Sequence, residues 1–421
     1  MFSIFTIRKE LYITAPRPGV AVYAGGQAYT SDTGPELLET VALEARHTGP
    51  KPFPMMGYYR PEISLRLSPD NGRTWQILGE PIRQLMNHVE GARQFDPHHF
   101  RDPDNGRIVR FFPGSVIRAD LAHAESFSDA GCEGHSRRMF YRVSADQGRS
   151  WGPVRQVICA GAEYDETHWG PGLFFMRTGG LYGVGPTLKA ADGAVVQSVV
   201  LQLFDGRGYR SGLIHGRWNA ANTDLTWTFS DYISVPPDQS SQGCCEPAPA
   251  LLDDGRIFIS LRCCGDKKGQ TFPSLKFWVI SADGGQTFST PQPLTYTDGQ
   301  PVWSPSSMAA VIRSSVNRRY YWIGNILDAP TYGSGPRHPL CIAELLPETG
   351  QLLRETVAVI DTLPPDWPPE KLARPRRYTN FGLYEDRLTR EVVLTLPEQP
   401  RTDWEEFTSD CYCYRIAIPS P

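Results

Sequence analysis

Apolar and polar residues alternate in short runs along most of this chain, as in Glu62-Ile63-Ser64-Leu65-Arg66-Leu67, and long stretches with the spacing of an amphipathic helix are missing. Alternation sends successive side chains to opposite faces, so each run predicts a strand with one buried face. Glycine and proline are abundant, at 39 and 37 residues, and punctuate the runs with the backbone angles that tight turns need. Many short strands joined by turn chemistry predict an all-β architecture with sparse helix.

One turn recurs. Ser68-Pro69-Asp70-Asn71-Gly72-Arg73-Thr74-Trp75, Ser144-Ala145-Asp146-Gln147-Gly148-Arg149-Ser150-Trp151 and Ser281-Ala282-Asp283-Gly284-Gly285-Gln286-Thr287-Phe288 share the pattern S-x-D-x-G-x-[ST]-[WF], each between two alternating runs. In such a turn the Asp accepts backbone N–H groups, a Gly takes positive φ and the aromatic packs beneath. Asp70, Asp146 and Asp283 are therefore expected on outer hairpin turns. The second interval is close to twice the first, so a fourth, decayed unit is expected around Asn222 to Trp227. A unit of about 70 residues fits the 421-residue chain about six times and predicts a six-bladed β-propeller of four-stranded antiparallel blades. Pro-rich Leu363-Pro364-Pro365-Asp366-Trp367-Pro368-Pro369 reads as a loop inserted in a late blade, because strand patterns resume after it, and residues 1–421 as a single domain.

Charge removes one class of partner. With 42 basic and 46 acidic residues the net charge is −4, so there is no global field to hold nucleic acid. Apolar runs such as Val195 to Leu203, broken by Gln197, Ser198 and Gln202, fall short of the about 20 residues of a membrane-spanning helix. The opening Met1-Phe2-Ser3-Ile4-Phe5-Thr6-Ile7 meets Arg8, Lys9 and Glu10 without the order of a signal peptide, and the nine cysteines are an odd number. Both point to a reducing, cytoplasmic setting. The pairs Cys244/Cys245 and Cys263/Cys264 lack the spacing of zinc knuckles, since neighbours on a strand face opposite ways, and read as buried apolar thiols. Neither a metal nor a cofactor is expected.

The S-x-D-x-G repeats resemble the Asp-boxes of the sialidase family, in which they sit on outer turns away from the central cavity. A sharper resemblance lies at Glu246-Pro247-Ala248-Pro249-Ala250-Leu251-Leu252-Asp253-Asp254-Gly255-Arg256-Ile257-Phe258-Ile259-Ser260-Leu261-Arg262, where a Glu and an Arg flank an Asp-Gly hairpin at the family's spacing. A hairpin returns both ends to one sheet edge, so the two side chains can face one cavity. Arg337-His338-Pro339-Leu340-Cys341-Ile342-Ala343 resembles the strand bearing another arginine of the carboxylate-binding triad. Tyr378-Thr379-Asn380-Phe381-Gly382-Leu383-Tyr384 resembles the stretch with the nucleophilic tyrosine, and Arg17 in Pro16-Arg17-Pro18 the opening arginine.

The resemblance implies a chemistry. Tyr378 would attack and Glu246 would take its proton, because a phenol with a reference pKa of about 10 is a poor nucleophile near neutrality. A neutral nucleophile also avoids the repulsion that a carboxylate would meet beside an acidic sugar. Arg262, Arg337 and Arg17 would grip the substrate carboxylate with planar, bidentate hydrogen bonds.

The chain departs from the family after Ala45-Arg46, where an acid/base aspartate belongs: residues 47–62 contain no Asp. His47 and Glu62 lie in that stretch, and His47, with an intrinsic pKa near about 6.5, is the better proton donor. His98, His99 and His168 fall where sialidase-like chains approach the cavity and are candidate substrate contacts. The resulting expectation is a retaining exo-glycosidase of the sialidase-like clan, acting on a terminal acidic sugar. A propeller-fold polysaccharide lyase, with Tyr378 and a histidine moving protons beside a uronate carboxylate, is the alternative that the missing Asp favours. A non-catalytic glycan-binding propeller is the third.

Overall fold

The computed structural model describes residues 4–46, 58–82, 98–117, 135–177, 180–203, 208–367, 377–398 and 408–421. Alternation becomes strand throughout, and the helix assigned among these residues is one 3-10 turn, Arg354–Thr356. None of it is long and apolar enough to cross a membrane.

Six sheets form a six-bladed propeller. The innermost strands of blades I to VI are Val20–Tyr29, His98–Arg101, Gly180–Lys189, Cys244–Leu251, Ala310–Arg313 and Gly382–Glu385. They pack side by side from Gly382–Glu385 through Val20–Tyr29 round to Ala310–Arg313. Within each blade, antiparallel neighbours run outward from that strand, so the start of the first strand, the end of the second and the start of the third share one end of the ring. Blade VI takes its outer strand from Thr6–Ile13, which pairs antiparallel with Cys411–Ala417 and closes the ring.

Blade V departs from the four-stranded expectation. Its third strand, Leu340–Leu346, is flanked by two short pieces, Gln351–Leu352 and Ala358–Asp361, because the 3-10 turn between them interrupts what elsewhere is one outer strand. Thr295–Tyr296 then adds in parallel to Gln351–Leu352, making six strands.

Each S-x-D-x-G repeat joins a third strand to an outer strand, as expected. Asp70 accepts from the Thr74 N–H (2.7 Å) and hydroxyl (2.7 Å), Asp146 from the Ser150 N–H (2.8 Å) and hydroxyl, and Asp283 from the Thr287 N–H (3.0 Å) and hydroxyl (2.6 Å). In blade III the equivalent turn carries Asn219, whose side-chain oxygen accepts from the Thr223 N–H (3.0 Å), so the decayed unit keeps the geometry with an amide. The turns also fasten adjacent blades: Arg149 pairs with Glu36 (2.6 Å), and Asn71 donates to Asp386 (2.9 Å).

The hydroxyl and N–H of Ser150 hold the Asp146 carboxyl down at about 2. A folded value below the unfolded one of about 3.9 stabilises above that pH, and the contribution fades as pH falls toward about 2. Asp146→Ala is therefore expected to lower Tm by a few degrees at neutral pH, about the effect of a lost turn cap. The gap should close on acidification, with activity per folded molecule unchanged; a loss of turnover without a loss of Tm would refute this structural role.

The paired cysteines lie where their apolar reading puts them. Cys244, Cys245, Cys263 and Cys264 are buried and free, and burial pushes the first two thiols up to about 11 and about 12.

Candidate functional site

Glu246 sits near the start of the innermost strand of blade IV and is followed by Pro247, which has no N–H for the ladder. Pairing with the second strand lapses between Cys245, opposite Arg262, and Ala248, opposite Ser260. This irregularity turns Glu246 into the left-handed region, at φ 47°. A non-glycine residue there costs about 1 to 3 kcal/mol, a strain that clusters at functional sites. It re-aims a side chain that regular alternation would have placed elsewhere.

The Glu246 carboxylate accepts from Arg262 Nη1 at 2.5 Å through Oε1, while its buried Oε2 has no hydrogen-bond partner. The side chains of Arg262 and Glu246 keep 18% and 21% of their surface exposed, so they line an opening and not a sealed core. Burial alone would push the Glu246 carboxyl up; Arg262 beside it, with Arg337 and Lys276, outweighs burial and holds it below the usual value. The carboxylate is thus ionised, with an acceptor oxygen left over. The groups that hold it ionised are Arg262, Arg337 and Lys276.

Arg262 and Arg337 converge on one residue. Arg262 Nε donates to the Ser306 hydroxyl (2.9 Å), and Arg337 Nη2 to the Ser306 carbonyl oxygen (3.3 Å). Arg337 lies just before the third strand of blade V and also donates from Nε to the Ser334 carbonyl (2.8 Å). The sequence reading thus placed Glu246, Arg262 and Arg337 together, and the structure brings them together.

Tyr378 goes elsewhere. It is buried in the core between blades V and VI, among Ile360, Leu363 and Phe381, and its phenol donates to the Thr362 carbonyl oxygen (3.0 Å). Its single O–H is committed to that carbonyl, so the expected hydrogen bond to Glu246 is not formed. A tyrosine on which the Glu246 charge acts is Tyr182, on the innermost strand of blade III, with the Arg137 guanidinium 5.0 Å from its ring centroid. Burial pushes its phenol pKa well up, so it is protonated at neutral pH.

The histidines divide. His99 is buried, its Nδ1 2.7 Å from the Gly26 carbonyl oxygen of the neighbouring blade. Burial, then Arg110, pushes it down to about 3, so it stays neutral and packs the seam between blades I and II. His168 lies on a small hairpin, stacked on Phe174 at 4.1 Å with Nδ1 2.9 Å from the Glu163 carbonyl oxygen. His98, half-buried, opens the innermost strand of blade II, and Arg17 is exposed on the turn into blade I. Glu62 is on the third strand of blade I, opposite Leu43. His47 lies outside the described residues.

Two site residues escaped the sequence reading, Tyr182 and Lys276. Lys276 is fully buried, directly opposite Arg262 on the third strand of blade IV, and donates to the Pro305 carbonyl oxygen (2.6 Å). The available signal was a lone charge beginning the run Lys276-Phe277-Trp278-Val279-Ile280.

No protein-family model matches the chain, and no curated protein matches its sequence. Solved structures do match. A protein of unknown function from Dyadobacter fermentans aligns at TM-score 0.60 and 16% identity over 98% of this chain and 99% of its own. The Trypanosoma rangeli sialidase, in complex with 2,3-difluoro-KDN, aligns at 0.57 and 13% over 93% of this chain and 53% of its own. The α-L-arabinofuranosidase Arb93A from Fusarium graminearum, bound to an iminosugar inhibitor, aligns at 0.55 and 15% over 98% of both. At these identities the likeness is one of fold: this chain has the six-bladed β-propeller fold that it shares with these structures.

Proposed function

We propose that this protein is an exo-glycosidase that releases a terminal, carboxylate-bearing sugar, with Glu246 as proton acceptor and Arg262 and Arg337 as the carboxylate clamp. One observation carries the reading: a strained, ionised Glu246 with a free acceptor oxygen, held ionised by Arg262, Arg337 and Lys276. Two guanidiniums meeting at Ser306 offer the planar, bidentate donors that a substrate carboxylate takes up. The Asp-box reading of the turn repeats and the sialidase-like neighbours agree with it. The tyrosine in this scheme is Tyr182, which lies within the field of Glu246. Tyr182→Phe is expected to remove most turnover, whereas Tyr378→Phe loses one hydrogen bond, worth about 1 kcal/mol of stability, and keeps turnover.

The arabinofuranosidase neighbour favours a second reading, a neutral furanoside as substrate. The test is a set of aryl glycosides of sialic acid, glucuronic acid and arabinofuranose, each acidic sugar also supplied as its methyl ester. Turnover of an acid, with the ester about 10- to 150-fold poorer, is expected from the loss of one charged hydrogen-bond set. Equal specificity constants for acid and ester, or preference for the arabinofuranoside, would overturn the acidic-sugar reading. An unsaturated uronate product would identify a lyase.

A further inference from the structure

The segment Ser304-Pro305-Ser306-Ser307 passes between blades IV and V and receives Arg262, Arg337 and Lys276. Arg262 and Arg337 hold Ser306 by its hydroxyl and carbonyl, and Lys276 holds Pro305 by its carbonyl at 2.6 Å. The Ser306 N–H donates to Gly333 (2.8 Å), which ties the segment to the loop that carries Arg337. Lys276 itself has no exposed surface, so it reaches the cavity only through what it holds and through its charge.

We propose that Lys276 is a positioning residue whose protonation state sets the grip of the Arg262–Arg337 clamp on an anion. As an ammonium it pulls the Pro305 carbonyl inward, fixes Ser306 for both guanidiniums and adds a third positive charge. As a neutral amine it has one fewer donor and adds no charge. This inference rests on reading the cavity as an anion site.

The surroundings make the change of state accessible near neutrality. The charged and titratable groups acting on Lys276 are Arg262 and Cys263 from the second strand, Glu246 and Cys245 from the first, and Arg337 from blade V. Burial is the largest effect; with the two arginines it outweighs Glu246 and lowers the ammonium from its usual 10.5 to about 7. Cys245 and Cys263 are buried thiols pushed upward, so they remain neutral across that range.

The linkage has a definite sign. Between about 7 and the unfolded value of about 10.4 the unfolded chain binds the extra proton, so folded stability gained from this residue rises with pH in that window. A lysine with an unshifted pKa gives no such slope.

The first experiment needs no ligand. The chain has only seven lysines, at 9, 51, 189, 267, 268, 276 and 371, so protein labelled with [ε-13C]lysine gives a sparse spectrum. One resonance, absent from Lys276→Met, is expected to titrate with a midpoint near 7, as against the usual 10.5. If that variant does not fold, the wild-type spectrum alone decides whether any lysine titrates there. The second experiment measures calorimetric binding of N-acetylneuraminate and of glucuronate at about pH 6 and about pH 9, either side of the shifted midpoint. For wild type the affinity is expected to fall about tenfold between them, the scale of one charge-assisted hydrogen bond. Lys276→Met should be weak at both pH values and Lys276→Arg strong at both. A lysine resonance titrating near the ordinary value, or the same pH dependence in wild type and Lys276→Met, overturns the inference. A normal titration near 7 with no binding of either acid overturns the anion-site reading and, with it, the clamp role of Lys276.

Discussion

Glu246→Gln is expected to lower kcat by about 10²- to 10⁴-fold on the preferred acidic glycoside, the usual contribution of a positioned acid–base group. The amide is nearly isosteric, and its oxygen can still accept from Arg262, which now reaches Glu246 Oε1 at 2.5 Å. What it loses is the proton affinity of the unpartnered Oε2. It also removes a carboxylate that offsets Arg262, Arg337 and Lys276, so the cavity becomes more positive. Binding of the substrate carboxylate should then hold or tighten while turnover collapses. That split between KM and kcat separates loss of a catalytic group from general damage, which would raise KM as well. If Glu246→Gln retains wild-type kcat, the carboxylate is structural and the assignment falls.

Glu39→Ala is expected to cost about 3 to 5 kcal/mol, the penalty for stripping one partner from a buried ion pair. Glu39 is fully buried on the second strand of blade I. It accepts from Arg66 Nε (2.6 Å), Gln27 Nε2 (2.8 Å) and the Tyr12 hydroxyl (3.0 Å). Tyr12 belongs to the strand that closes blade VI, and Gln27 also reaches Thr395 of that blade (3.1 Å), so the carboxylate joins two blades. Arg66 is stacked 4.2 Å from the centroid of Trp75, the aromatic that ends the first turn repeat. Without Glu39 its guanidinium stays buried against the rings of Trp75 and Tyr12. Denaturant unfolding should show the loss as a lower midpoint, and Glu39→Gln should recover part of it by keeping the Tyr12 bond. A change below about 1 kcal/mol would mean that water replaces the carboxylate at this seam.

What the sequence made legible was what local chemistry decides. The S-x-D-x-G turns follow from an Asp whose partner is four residues away, as in Asp146 and Ser150. Glu246 and Arg262 were legible because a hairpin fixes where its two ends lie. Tyr378 was misread because its motif does not determine how the segment before the innermost strand of blade VI packs; its phenol turned toward Thr362, 16 residues upstream. Lys276 and Tyr182 gain their meaning from neighbours in the next blade or from the Pro305 segment, contacts that no window of sequence displays. The six-stranded blade V was hidden because Gln351–Leu352 and Ala358–Asp361 are each too short to show an alternation.

The pairing of Thr6–Ile13 with Cys411–Ala417 sets an order of events in the cell. Translation at about 5 to 20 residues per second leaves the first strand waiting on the order of 20 to 80 s for its partner to be made. Throughout that interval it is an unpaired edge beside other nascent chains. Arg8, Lys9 and Glu10 lie in its middle, and like charges brought into register repel when two such strands meet. In the finished ring Lys9 reaches Asp361 and Glu398, partners that lie far along the chain and emerge late. The same side chains thus guard the strand against strangers first and fasten it to its own blade afterwards.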